Sequence, residues 1–376
     1  MITVDDATGI LNRFSLDRRT YVELKDSFGR VLAENIVSGI DVPSFDRSDM
    51  DGYAIRDRDL SGRRFKLVGE MHAGGDREVA IGDGECSWVT TGANIPDEAN
   101  LIIPVENTEK IGDDEIVYEP GKEPHISERG CDIKRGKIVL RRGRIVNDRN
   151  IGILAALGIR DVPVYDAPTV AIISTGDELA RINDVNSMTL SAIVAQSGGS
   201  PVFMGTVTDD ISRIKQKIKE ASECDVIITS GGISSGKKDL MPIVVSELGE
   251  VFFHRVKMRP GMSMLAGVVD EKPILCMPGN VTSCLVCGHV FLPPIIRRMA
   301  HLPFAGMGGV RRARLSEAAV SEYGMRRYLP VKLVDGVAYP TFRGSGLITS
   351  IGYADGIVAI GEEETLAEGG VDVWVL

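Results

Sequence analysis

The sequence predicts a multidomain α/β plus β protein: a central doubly wound α/β domain, an inserted small β domain and a C-terminal β domain. Three observations carry that prediction. From Thr169 onward, short apolar runs alternate with stretches at helical spacing, the β-α-β-α order of an open parallel sheet. Between Phe65 and about Leu140 the β-runs are short and are separated by turn signals such as Gly82-Asp83-Gly84 and Gly112-Asp113. After about Leu302 the chain is β again, and Asp335-Gly336 between Val331–Val334 and Val337–Tyr339 is a hairpin signal.

The elements follow in order. Thr3 is placed to cap a short helix through Leu11. Tyr21 to Ala33 is expected as a second helical or mixed stretch ending in GRVLAENI. The β unit uses Phe65–Val68, Cys86–Val89, Leu101–Val105, Glu115–Tyr118 and Ile138–Leu140. Ile151 to Leu157 is a short helix closed by Gly158. Strand Val170–Ser174 opens the α/β part, followed by a helix from about Ser187 to Ser197 and strand Val202–Met204. Ile211, Ile214 and Ile218 form the buried face of the next helix, which leads to strand Asp225–Thr229. Strand Ile274–Met277 runs into Pro278-Gly279-Asn280 and an apolar helix ending near Met299. Val371, Val373 and Val375 alternate along a closing strand.

Composition narrows the function classes. A chain of 376 residues exceeds what one hydrophobic core serves, so about two to four domains are expected. With 43% hydrophobic and 26% charged residues it reads as a soluble globular protein. A net charge of −10 argues against nucleic acid as the main partner and leaves local basic pockets open. Asp5 and Asp6 do not suit a secretory signal, and no apolar run of about 18 residues suggests a membrane span, so a cytoplasmic location is expected. The six cysteines read as reduced thiols. Cys284-x2-Cys287 with His289 lacks a second ligand pair and lies in an apolar helical run, which favours core packing over metal. Lys134, Arg135, Lys137, Arg141, Arg142 and Arg144 read as a solvated β surface.

The segment Asp225 to Asp239, DVIITSGGISSGKKD, carries the strongest chemical signal. A buried strand runs into a Gly/Ser loop and then a helix, which lets N–H groups converge on an anion. Gly231 and Gly232 permit close approach of the backbone, and Lys237 and Lys238 add charge. Gly231, Gly236 and Lys237 nearly spell a nucleotide loop, but Lys238 stands where a magnesium-binding Ser or Thr belongs, so an ordinary NTPase is disfavoured. A plain Gly-rich βα turn is the alternative reading. Asp177, Glu178, Asp209, Asp210 and Asp239 gather at predicted strand ends, where carboxylates beside a phosphate cradle suit Mg²⁺-assisted phosphoryl chemistry. Each also has a structural reading: Asp209 as a helix cap, Asp177 and Glu178 as first-turn acids, Asp239 as a solvated helix residue. Asp46 to Ala54, dense in charge around Gly52, and Thr90-Thr91-Gly92-Ala93 read first as tight turns.

Taken together, DVPSFDRSDMDGYAIR (Asp41–Arg56), TGANIPDEANLIIPVENTE (Thr91–Glu109), STGDEL (Ser174–Leu179), TSGGISSGKKD (Thr229–Asp239) and MPGN (Met277–Asn280) resemble, in order, the molybdopterin molybdenumtransferases. These are the MoeA-like proteins, which include the C-terminal domain of gephyrin. The resemblance runs from Val22 to GSGLITSIGYADG (Gly344–Gly356). It implies a homodimer with four-part subunits. Here these are a discontinuous helical linker (residues 1–46 and 130–167), a β lid (47–129), an α/β molybdopterin-binding domain (168–302) and a C-terminal β domain (303–376).

The resemblance implies that adenylylated molybdopterin receives molybdate in a Mg²⁺-dependent reaction that releases AMP. A separate adenylyltransferase would deliver the pterin. Asp51, Thr91, Glu178 and Asp209 are the implied catalytic residues, with Glu178, Asp209 and Asp210 around magnesium. Implied substrate contacts are Ser174, Thr175, Gly176, Ser230, Gly231, Gly232, Ser234, Ser235 and Asp239. Arg255, Arg259, Pro278, Gly279 and Asn280 complete that set. The chain departs from the family's K-P-G-K-P at Arg259-Pro-Gly-Met262-Ser263, from the Pro after PGN at Val281, and from A-N-G at Asp355. Two other readings stay open: a divergent paralogue using tungstate, and a non-catalytic dimeric pterin-binding or scaffolding protein.

Overall fold

A computed structural model describes residues 1–75, 78–118, 125–233, 239–303 and 309–376. The chain divides into two compact units, residues 21–164 and residues 1–20 with 165–376.

Among the described residues, the 21–164 unit holds a six-stranded sheet in the order Leu101–Pro104, Gly52–Ile55, Glu85–Val89, Arg64–Met71, Glu115–Tyr118, Thr108–Ile111. Alternation along these strands sorts the side chains onto two faces. Tyr53, Ile55, Phe65, Leu101, Ile103 and Ile116 fill one core, whereas Ala54, Met71, Val89 and Ile102 fill another. A separate core gathers Leu32, Ile36, Leu140, Leu154 and Val164. Its helix, Asp148–Ala156, starts at a reciprocal cap between Asn147 and Asn150.

Two expectations are corrected in this unit. Tyr21 to Ala33 is not helical: Arg19–Glu23 is a strand with alternating exposure, Leu24–Asp26 is one 3₁₀ turn, and Val31 and Leu32 form β-bridges to Ile145 and Val164. Beyond Asp26 the backbone is irregular and held by single bridges, so the expected helical or mixed stretch does not form a helix. Ile138–Leu140 lies outside the six-stranded sheet and pairs with Ile36–Val37, which buries Leu140.

In the larger unit, a six-stranded sheet runs in the order Ser200–Val207, Thr169–Thr175, Val226–Ser230, Lys272–Met277, Leu265–Val269, Gly249–His254. The first four strands are parallel and the last two antiparallel. Side chains again sort by parity. Val170, Ile172, Val226 and Ile228 meet helices Val185–Gln196 and Val281–Met299, while Ala171, Ile173 and Ile227 meet helices Ile211–Glu220 and Met241–Leu248. The sheet is therefore wound on both faces. The chain leaves Thr169–Thr175 towards Ser200–Val207 and returns on the other side at Val226–Ser230, so a topological switch point lies at Thr175 and Ser230.

The N-terminal helix Val4–Leu11, capped by Thr3 as expected, belongs to this unit rather than to the linker. Val4, Ala7 and Leu11 form an apolar stripe that is buried in the same core as Phe291. Arg18 fixes the segment further, with both terminal guanidinium nitrogens 3.0 Å from the buried Asp225 carboxylate.

The C-terminal strands close into a ring: Arg326–Val334, Val337–Pro340, Val310–Leu315, Gly370–Val375 and Gly356–Ile360, which pairs back with Arg326–Val334. Asp335 and Gly336 turn the hairpin at φ +48° and +76°, the conformation a two-residue loop demands. Leu315, Leu329, Val331, Val358 and Val373 fill the barrel. The short strand Met258–Arg259 joins it, pairing in parallel with Arg326 and Arg327.

Candidate active site

Beside that switch point lies a cavity of about 1230 Å³. Gly231, Gly232 and Ile233 leave strand Val226–Ser230, and Pro278, Gly279 and Asn280 leave strand Lys272–Met277, to form one wall. Glu178 and Asp209 supply acid, and Arg255, Arg259 and Arg327 supply positive charge. Val320, Glu322, Tyr328 and Phe342 line it from the barrel side.

The glycines are there because nothing larger fits. Gly231 has φ +96°, and a Cβ at that position would stand 2.1 Å from the Thr175 carbonyl oxygen. Gly232 has φ +65°, and its Cβ would lie 3.0 Å from Thr175 Oγ1. The Gly231 N–H donates to the Met277 carbonyl at 3.2 Å, which stitches the two wall loops together.

Of the residues singled out in the sequence, Glu178, Asp209, Gly231, Gly232, Arg255, Arg259, Pro278, Gly279 and Asn280 come together around the cavity. Ser174, Thr175, Gly176 and Ser230 do not line it. Ser174, Thr175 and Ser230 are buried, and Thr175 Oγ1 donates to the Ser230 carbonyl at 3.4 Å beneath the loop. Asp210, not Asp209, is the cap of helix Ile211–Glu220, accepting the Arg213 N–H at 2.8 Å. Asp177 accepts the Asp209 N–H at 3.2 Å. Ser234 and Ser235, with Gly236, Lys237 and Lys238, lie outside the described residues.

Asp239 also stands off the cavity. Its carboxylate is 3.5 Å from His254 Nε2, and burial raises its pKa against the opposing pull of His254 and Arg255. Arg259 forms an ion pair with Glu322 at 2.8 Å. Met262 and Val281, the positions that depart from the family pattern, both line the cavity.

In the other unit, Asp51 and Thr91 meet. Asp51 Oδ1 accepts the Thr91 N–H at 2.6 Å and its hydroxyl at 2.9 Å. These bonds hold the Asp51 carboxyl below the ordinary carboxylate pKa. The sequence suggested two independent turns; the structure makes them one exposed carboxylate site. Asp51 spends its oxygen on a residue distant in sequence, not on its own turn.

Cys284 and Cys287 pack in the core, as their place in an apolar helical run predicts. Burial pushes the thiols of Cys276 and Cys284 up to about 12 and that of Cys287 higher than normal, and it pushes His289 down to about 4. Among the described residues no cluster of His, Cys, Asp or Glu is arranged to hold a metal on protein ligands alone. The basic run from Lys134 to Arg144 is exposed. No helix among the described residues is long and apolar enough to cross a membrane.

Sequence reasoning missed Asn186. Its amide nitrogen donates to Ser230 Oγ at 2.7 Å and to the Gly279 carbonyl at 2.9 Å, one contact on each wall segment. Its place two residues after the Asp184 cap carries no motif, so only the folded geometry reveals it. Glu322 and Arg327 were missed because barrel residues reach the site through long-range pairing.

Comparison with known proteins adds to this geometry. Three family models match in succession: the MoeA N-terminal region (domain I and II) over residues 2–158, a probable molybdopterin binding domain over 171–298, and the MoeA C-terminal region (domain IV) over 312–376. A molybdopterin molybdenumtransferase of Staphylococcus aureus is 31% identical across 93% of this chain and 89% of its own length. The chain belongs to the MoeA family of molybdopterin molybdenumtransferases. A putative molybdopterin biosynthesis protein of Methanocaldococcus jannaschii is 30% identical across 94% of this chain and 92% of its own. Crystal structures of two molybdopterin biosynthesis MoeA proteins from Pyrococcus horikoshii superpose with TM-scores of 0.86 and 0.77, at 33% and 28% identity, covering 100% of this chain and 99% of each. This family member therefore has the expected architecture, mixed α/β with a C-terminal β-barrel-like domain.

Proposed function

We propose that this MoeA-family protein inserts molybdate into adenylylated molybdopterin and releases AMP, with Mg²⁺ assisting. The observation that carries the reading is the cavity at the switch point, where two glycine-bearing loops, three carboxylates (Glu178, Asp209 and Glu322) and three arginines converge. Tight glycine backbone with guanidinium groups suits a phosphorylated ligand. Arg255 and Arg259 would hold anionic oxygens, and the wall loops would seat the nucleotide or pterin phosphate.

The donor set supports a magnesium ion in part. Glu178 and Asp209 both line the cavity, and magnesium takes one or two carboxylates together with substrate oxygens and waters. Asp210 fits less well, because its carboxylate is engaged as a helix cap. When bound, the ion would offset charge developing on the phosphate oxygens. The proposal extends to a homodimer in which Asp51, held by Thr91, acts at the metal-insertion end of the site. A separate adenylyltransferase would supply the pterin, in the cytoplasm.

AMP release from adenylylated molybdopterin, measured with Mg²⁺ and either molybdate or tungstate, tests the reading. Oxyanion-dependent release is expected. Tight pterin binding without release under either oxyanion would overturn it in favour of a binding or scaffolding role. Release with tungstate alone would identify a tungsten paralogue. Met262 on the cavity wall, where the family pattern carries a cation, is the observation that keeps these second readings in view.

A further inference from the structure

We infer that Asn186 is a positioning residue that sets the spacing between the two ligand-binding loops. It rests on the reading of the cavity as the substrate site, and it concerns a residue with no assigned role.

The orientation of the Asn186 amide is fixed by chemistry. The Gly279 carbonyl can only accept a hydrogen bond, so the group 2.9 Å from it must be the nitrogen. That same nitrogen donates its other hydrogen to Ser230 Oγ at 2.7 Å. Ser230 ends the strand that delivers Gly231, and Gly279 follows the strand Lys272–Met277. One planar amide therefore spans both loops. Its Oδ1 is buried and has no hydrogen-bond partner among the described residues, so the side chain holds this pose through its nitrogen alone.

The loops touch where the clip acts. A Cβ on Gly279 would lie 3.6 Å from Gly231 Cα, so the two glycines face each other across the seam. Besides the Gly231 N–H to Met277 carbonyl bond, Asn186 supplies the polar ties across it. Asn186 belongs to helix Val185–Gln196, whose Leu190, Ile193 and Val194 are fully or nearly fully buried. The clip is thus mounted on a rigid element, which is what holding loops to sub-ångström tolerance requires. A displacement of about 1 Å in such a site can cost on the order of 100-fold.

The test compares wild type with Asn186→Ala and Asn186→Asp. Hydrogen–deuterium exchange of the ligand-free protein is followed in peptides covering residues 229–233 and 277–281, alongside calorimetric affinity for adenylylated molybdopterin. Asn186→Ala should speed exchange in both peptides together and weaken pterin affinity by about tenfold or more. Its thermal midpoint should stay near that of wild type. Asn186→Asp, nearly the same size, cannot donate to Gly279 and should show the same exchange change, which a packing role would not produce. Unchanged exchange in both loops, or unchanged affinity despite faster exchange, overturns the inference. Should Asn186→Ala fail to fold, Asn186→Asp is judged by the same two readouts. A wild-type protein that binds no pterin would sink the functional proposal alone, while the exchange comparison still decides the clip.

Discussion

Replacing Gly231 by alanine should damage both stability and ligand binding, because the loop has no room for a methyl group. The new methyl carbon would stand 2.1 Å from the Thr175 carbonyl oxygen, a backbone atom that cannot rotate away. Either the end of strand Thr169–Thr175 or the Gly231 loop must shift by on the order of 1 Å, and overpacking of that kind costs about 1–3 kcal/mol. Holding an alanine at φ +96° adds about 1–3 kcal/mol of backbone strain. The lower entropy of the unfolded alanine chain returns about 0.4–1 kcal/mol. The net expectation is a loss of about 1–6 kcal/mol, set against a typical total of about 5–15 kcal/mol. Urea unfolding followed at Trp374, the single tryptophan of the larger unit, measures it in a background where Trp88 is replaced by phenylalanine. Calorimetry with adenylylated molybdopterin measures the accompanying loss of affinity. A variant within about 1 kcal/mol of its parent that also binds normally would refute the close-approach account of this glycine.

Four further outcomes are expected. Asp51→Ala should remain folded, since it removes an exposed carboxylate with two hydrogen bonds, but should abolish metal insertion; wild-type insertion by the variant would remove Asp51 from the mechanism. Met262→Lys should lower the molybdate concentration needed for half-maximal AMP release, and an unchanged dependence would show that the missing cation is not limiting. Arg18→Ala should cost about 2–3 kcal/mol by leaving the Asp225 carboxylate, 4% exposed, with Thr169 as its only donor among the described residues. Burial pushes the Asp225 pKa up, but the Arg18 and Thr169 hydrogen bonds outweigh it and the net shift is downward, so the gap between wild type and Arg18→Ala in urea titrations should shrink as pH falls below 3.8. His289 is held neutral by burial, at about 4 against an ordinary 6.5, so the unfolded chain takes up the proton first and stability should fall as pH drops from 6.5 to 4; a His289→Gln thermal-midpoint profile that is no flatter than wild type would contradict this.

The central strands Thr169–Thr175, Val226–Ser230 and Lys272–Met277 were legible because each buries both faces, which leaves continuous runs such as Val226-Ile227-Ile228. The hairpin at Asp335-Gly336 was legible because its conformation admits few residues. Tyr21 to Ala33 was misread because irregular backbone with single β-bridges has no period to detect. The partner of helix Val4–Leu11 was out of reach for a different reason: an apolar stripe says that a face is buried, not against what. The same divide runs through the site. Gly231, Gly279 and the strand-end acids were visible because strand ends define the crevice in this fold class. The helix cap was read at Asp209 instead of Asp210 because adjacent aspartates at a helix start cannot be told apart by spacing. Asn186 and the Asp51–Thr91 bond stayed hidden because both depend on contacts between residues 40 or more positions apart.

The pairing of Met258 with Arg326 and of Arg259 with Arg327 has a consequence for how this protein can be taken apart or recombined. Arg259 carries its guanidinium to the cavity from a strand whose only ladder neighbour among the described residues is the barrel. The barrel is accordingly a splint for the loop that carries Arg259, not an appendage that could be trimmed after Leu302. A chimera that grafts a related barrel onto this α/β sheet must keep that two-residue register, or it will inherit a complete fold with its arginine set at the wrong depth.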